Sequence, residues 1–146
     1  MTAQPSDEPV QELSVEQCWE LLADEEFGRL AYRLVDEVHV VPINYLVDGR
    51  CLLFRTASGN KLLAAALHSD VAFEIDWRDD QAAWSVVARG ALRRLGEDEQ
   101  HRLDSLPRQP WVDTPKYDVI ELTPDVVTGR RFQLHRSDGT DDATQP

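Results

Sequence analysis

Val40-Val41-Pro42-Ile43-Asn44-Tyr45-Leu46-Val47-Asp48-Gly49-Arg50-Cys51-Leu52-Leu53-Phe54-Arg55-Thr56-Ala57-Ser58-Gly59-Asn60-Lys61 is the stretch whose reading decides the fold. Two apolar runs flank Val47-Asp48-Gly49-Arg50, and turn chemistry between two β-forming runs predicts a hairpin. The second run ends in a polar, glycine-containing segment, after which Leu62, Leu63, Ala66 and Leu67 fall on one helical face. The spacing predicts strands near 37–46 and 50–56, then a helix over 60–68 entered directly from the strand.

Toward the N-terminus, 28–34 supplies the first of three antiparallel strands. Before it, Leu13-Ser14-Val15-Glu16-Gln17-Cys18 reads as a helix start. Ser14 is the cap, Gln17 stands at the capping-box position, and Leu13 with Cys18 forms a hydrophobic staple. Toward the C-terminus, Val71, Phe73, Ile75 and Trp77 fall on one face and Glu74 and Asp76 on the other, the pattern of a half-buried strand. A longer strand covers Trp84 to Leu95, with Gly90 marking a bend or bulge. A short helix over 98–106, an extended connection held by Pro107, Pro110 and Pro115, and strands near 117–123 and 126–134 complete the chain. About seven antiparallel strands with three short helices between them indicate a mainly β, barrel-like fold with α insertions. One domain is expected over 13–136, with 1–12 and 137–146 as disordered tails.

The 146 residues include 27 acidic and 15 basic ones, for a net charge of −12. Such a chain repels nucleic-acid phosphates and anionic lipid heads, so neither nucleic acid nor membrane is an expected partner. Cys18 and Cys51 have no CxxC spacing and read as buried free thiols. No apolar run approaches the roughly 20 residues of a membrane span, and no leader-like segment opens the sequence, so a soluble, cytoplasmic protein is expected. The histidines are scattered without metal-ligand spacing, so no metal site is expected. GxSxG, Walker-type and GxGxxG signatures are missing, which weakens hydrolase, nucleotide-triphosphatase and dinucleotide-fold readings.

Two segments carry candidate chemistry. Arg55 can fork two N–H groups toward phosphate oxygens, Thr56 and Ser58 offer hydroxyl donors, and Gly59 allows close backbone approach. Lys61 adds a point charge in the first helical turn, where the helix dipole is positive. The same residues also suit a plain helix cap with surface ion pairs. In the preceding strand, Pro42 interrupts normal ladder pairing, and free backbone groups beside Val41 and Ile43 suit a flat heteroaromatic ring, with Asn44 adding a side-chain hydrogen bond. An ordinary edge strand fits that pattern as well.

FGRLAYRL (27–34), VPINYLVDG (41–49), LLFRTASGNKL (52–62), VAFEIDW (71–77), WSVVARG (84–90) and TGRRF (128–132) together resemble the pyridoxamine 5'-phosphate oxidase-like flavin family, over roughly residues 13–134. The resemblance implies an FMN-binding split β-barrel that forms a homodimer with flavin mononucleotide at the interface. It implies that Val41, Pro42, Ile43 and Asn44 lie along the flavin ring and that Arg55, Thr56, Ser58 and Lys61 hold its phosphate. Trp111 and Arg131 would be contributed from the partner subunit. The chain is shorter than the vitamin-processing oxidases and lacks a complete substrate-phosphate site in its C-terminal part. The implied activity is therefore an FMN-dependent oxidoreductase acting on an unidentified small molecule. A deazaflavin-dependent reductase and a non-enzymatic carrier of flavin or haem are the alternatives.

Overall fold

A computed structural model describes residues 9–106 and 117–134. Chain order begins with β1 (Val10–Glu12) and α1 (Val15–Asp24), followed by β2 (Phe27–Leu34), β3 (Glu37–Asp48) and β4 (Cys51–Ala57). A short helix α2 (Lys61–Ala66) leads to β5 (Asp70–Arg78), β6 (Ala82–Arg94), α3 (His101–Asp104) and β7 (Tyr117–Gln133). All pairings are antiparallel, in the order β1-β7-β4-β3-β2-β5-β6, and β6 pairs again with β7. That last pairing closes the sheet into a barrel, in which only local stretches of strand edge stay unpaired. The mainly β split barrel with helical insertions is therefore the architecture, and β7 is its seam.

The expected capping box starts α1. Gln17 N donates to Ser14 Oγ at 3.1 Å, and Ser14 N donates to Gln17 Oε1 at 2.8 Å. Cys18 and Leu22 on its inner face are fully buried against the barrel. The main core fills the barrel with Leu30, Tyr45, Phe73, Val86 and Ile120 among others, each burial contributing about 1.5–3 kcal/mol. A smaller core forms on the outer face of β3, β4 and β7, where Leu46, Leu53 and Val119 meet Leu95 and Leu103 of α3. Arg102 of α3 donates to Asp48 Oδ2 at 2.8 Å and lies 2.7 Å from buried Glu121 Oε2, while Arg93 reaches Glu121 Oε1 at 3.0 Å. Burial pushes the Glu121 carboxyl up, but hydrogen bonds from Arg102 and Arg93 outweigh it and hold the group below the usual carboxylate range.

Four expectations are corrected. Residues 10–12 are a strand rather than part of a loose tail, because β1 pairs with Arg130–Phe132 through its backbone and needs no apolar periodicity. The two expected C-terminal strands are one continuous β7. Pro124 lies opposite Gly90 at a register shift, where a residue without an N–H is tolerated. Trp77 is 46% exposed although it follows buried Val71, Phe73 and Ile75 on the same face of β5. Cys51 is half-buried, with Sγ 3.7 Å from Thr123 Oγ1, whereas Cys18 is a buried thiol as expected. Positions 1–8 and 137–146, expected to be disordered, lie outside the described residues.

Candidate functional site

The β3–β4 ladder is only four pairs long, running from Asp48↔Cys51 to Tyr45↔Phe54. Continued two steps further, that register would set Asn44 against Arg55 and Ile43 against Thr56, but no such pairing forms. Instead β4 stays with β7 as far as Ala57↔Tyr117, and β3 stays with β2 from Asn44 back to Glu37. Two strands joined by a tight turn therefore part in mid-course, and the edge of β3 over 37–44 carries no second strand among the described residues. Asn44 Nδ2 and Tyr45 N both donate to the Glu26 carbonyl, at 2.7 and 2.9 Å, which ties β3 to the turn after α1 at the point of divergence. The parting leaves the two candidate segments on diverging strands, one on each side of the split.

On the β4 bank, Arg55 lies opposite Val119 and its guanidinium carbon stands 4.4 Å from the centroid of the Tyr117 ring. Thr56 Oγ1 accepts from Asn60 Nδ2 at 3.1 Å and keeps its own proton to donate. Asn60 Oδ1 accepts from Leu63 N at 3.2 Å, so Asn60 is the helix cap and Ser58 is not. Ser58, Gly59 and Lys61 are exposed. Gly59 has φ +83°, a left-handed conformation that favours glycine, and its side-chain position faces open space. At six residues α2 is too short to contribute a strong dipole terminus, so the positive charge here comes from side chains. From Gly49 to Ser69 the sequence contains Arg50, Arg55 and Lys61 and no carboxylate, in a chain of net charge −12. This local island of positive charge was legible in the sequence, although charge totals alone hide it.

On the β3 bank, Val41 and Ile43 are half-buried against the barrel core, while Pro42 points the other way and is exposed. Pro42 lies opposite Arg29 within an unbroken β2–β3 register, so it sits on the unpaired side of an edge rather than at a bulge. Arg29 in turn pairs with Glu74 and lies 2.8 Å from Asp76. Burial, with a hydrogen bond that protonated Glu74 donates to Asp76, raises the Glu74 pKa against the opposing pull of Arg29. The Asn44 amide is already committed to Glu26, so its NH₂ group fixes the strand first.

Arg131 is not on either bank. It pairs with Gln11 and Trp84, twelve positions along β7 from Val119, on the order of 40 Å of strand. Trp111 lies outside the described residues. Sequence reasoning missed the Glu26 tie and the Tyr117 ring, since neither belongs to a local motif. A second concavity of about 470 Å³ opens on the outer sheet face, with Ala31 and Ala72 at its floor and Val38, Val126, Arg33 and Arg89 around it. Val38 and its neighbour Val40 are 65% and 62% exposed. Among the described residues no group of three His, Cys, Asp or Glu side chains is arranged to hold a metal ion. No helix among them is long and apolar enough to cross a membrane.

The profile of the pyridoxamine 5'-phosphate oxidase family matches residues 14–131. An uncharacterized protein of Mycobacterium tuberculosis is 37% identical over 93 residues, which make up 61% of this chain and 82% of that protein. Among solved structures, a Corynebacterium glutamicum protein superposes with a TM-score of 0.77 at 35% identity, covering 89% of this chain and 98% of that one. The FAD binding protein of Mycobacterium smegmatis gives a TM-score of 0.73, also at 35% identity, covering 84% of this chain and 98% of its own.

Proposed function

Because the chain belongs to the pyridoxamine 5'-phosphate oxidase family, we propose that it binds a flavin in the split between β3 and β4 and acts as an oxidoreductase on a small molecule. The observation that carries this reading is the parting of the strands beyond Tyr45↔Phe54, with Arg55 and Lys61 on one bank and the free edge of β3 on the other. The donor set fits the group. Arg55, Thr56, Ser58 and Lys61 offer charge and hydroxyls to a phosphate, and the open turn at Gly59 lets its oxygens approach the backbone. Val41 and Ile43 with the unpaired backbone beside them suit a flat ring that has a polar edge. A bound flavin supplies two-electron redox chemistry, and the chain positions it and limits competing reactions.

FMN and FAD share the phosphate that this set would hold, and the similar M. smegmatis protein is an FAD binding protein. We propose FMN as the cofactor, since the candidate residues account for a ring and one phosphate and none is assigned to an adenylate. A homodimer would complete the site from the far side, with Trp111 and Arg131 coming from the partner subunit. The exposed Val38, Val40 and Val126 support association, because pairing would cover apolar surface that one chain leaves in water.

The test is direct. The purified protein should be yellow, with two visible-to-near-ultraviolet bands, and the released small molecule should have the mass of FMN. The mass of FAD would correct the cofactor and keep the site. A deazaflavin or haem mass, or a colourless protein that takes up no flavin, would overturn the reading. Anaerobic reduction of the holoprotein by a nicotinamide donor would mark it as a reductase, and failure with every donor as a carrier. Size measurement should give twice the chain mass of 16.6 kDa.

A further inference from the structure

Val40, Ala31, Ala72, Arg89 and Val126 stand side by side in one row across β3, β2, β5, β6 and β7, on the outer face of the sheet. The concavity of about 470 Å³ opens over the middle of that row, where Ala31 and Ala72 form its floor. Apolar side chains stand in water around it, with Val38, Val40 and Val126 exposed by 65%, 62% and 49%. The four charged residues that line it are two arginines and two aspartates, Arg33, Arg89, Asp70 and Asp125. None of the four makes a side-chain hydrogen bond or ion pair among the described residues. The patch is thus charge-balanced in a chain of net charge −12. Two copies of such a chain repel each other over most of their surface, and a balanced patch with exposed valines is where they can meet.

We propose that this face is the contact between two copies of the chain, and that Arg33 of each copy pairs with the partner's Asp70. The proposal rests on the homodimer put forward above and gives it an interface. β2 and β5 pair as far as Tyr32↔Val71, and Arg33 and Asp70 are the next residue on each strand. Both are exposed and point outward with Ala31 and Ala72, since the intervening Tyr32 and Val71 are buried. Two copies packed face to face are related by a two-fold axis lying between the faces. With that axis along the β2–β5 boundary, Ala31 meets the partner's Ala72 and Arg33 meets the partner's Asp70, each contact occurring twice. Small residues at the centre let the sheets approach, and the reciprocal charge pairs fix their register. β3 supplies Val38 and Val40 to this face and Val41 and Ile43 to the split, so the docked copy borders the free edge of β3.

The test measures self-association by sedimentation for the full-length parent, for Arg33→Asp and Asp70→Arg separately, and for an equimolar mixture of the two variants. The parent should sediment as a dimer. Each variant alone sets like charges against each other at both crossings and should associate about a hundredfold more weakly. In the mixture every crossing again joins an arginine to an aspartate, so dimers of one variant with the other should return at near-parental affinity. A pair within one chain could not give this result, because neither variant chain holds both charges. Parental association of either variant alone, or a mixture no tighter than its parts, would overturn the interface. A parent that stays monomeric would overturn it together with the homodimer and leave the face to another occupant. A colourless dimer that takes up no flavin would bring down the flavin reading alone. Should either variant not fold, Ala31→Trp raises a bulky side chain at the centre of the face and should weaken association by itself, and parental association of that variant would again overturn the proposal.

Discussion

Tyr45 and Phe54 form the last cross-strand pair between β3 and β4, and beyond them the strands part. Tyr45 does more than end the ladder. Its hydroxyl donates to the Leu22 carbonyl near the end of α1 at 2.6 Å, and its ring meets Phe73 edge-on at 4.8 Å. Tyr45→Phe keeps the packing and removes the donor, leaving a buried carbonyl without that partner. A loss of about 1 kcal/mol is expected, read as a lower denaturant midpoint with an unchanged slope. An unaltered midpoint would show that α1 does not brace the split.

Arg55 and Lys61 supply the charge on the β4 bank. Replacing both, Arg55→Ala with Lys61→Ala, should weaken phosphorylated flavin about a hundredfold or more, since two charge-assisted contacts are lost. Folding stability should change little at exposed Lys61. Equal affinity in parent and double variant would place the phosphate elsewhere.

Glu121 makes stability depend on pH. Its folded-state pKa lies below the ordinary carboxylate value of 4.5, because hydrogen bonds from Arg102 and Arg93 outweigh its burial. The stabilisation is therefore present above the unfolded value and is lost as pH falls through the folded one. Glu121→Gln should cost on the order of 3 kcal/mol at pH 7, because it removes one partner from a buried ion network. It should also flatten the acid limb of the stability curve. Retention of the parent slope below about pH 4.5 would mean that other carboxylates govern that limb.

Gly90 sits at the β6–β7 register shift, where an added Cβ would fall 2.1 Å from the Thr123 carbonyl oxygen and 2.8 Å from Pro124 Cα. Backbone cannot give way as a side chain can. Gly90→Ala should destabilise the fold by about 2–3 kcal/mol, seen as a lower melting temperature. A melting temperature within a degree of the parent would mean the bulge is pliable.

Much of the fold could be read from the sequence because its signals are local. The Asp48-Gly49 turn, the Ser14/Gln17 capping box, the alternation in Val71–Ile75 and the glycine at the bulge each act through neighbours a few residues away. The candidate site was half legible for the same reason. Arg55, Thr56, Ser58 and Lys61 lie within seven residues, and Pro42 marks an unpaired edge in the adjacent strand. Trp77 misled, because alternation predicts a face but not whether anything covers it.

The sequence by itself determined most of the segments that form strands and helices, where the turns fall, and that a candidate anion-binding segment and a proline-marked edge lie on consecutive strands. Only the tertiary structure decided that those strands separate after Tyr45 and Phe54. The parting follows from competition for backbone partners, with β3 held by β2 and Glu26 and β4 held by β7. It likewise brought Tyr117 under Arg55, across 62 positions of sequence. Contacts of that span depend on barrel closure and register, which no local pattern encodes.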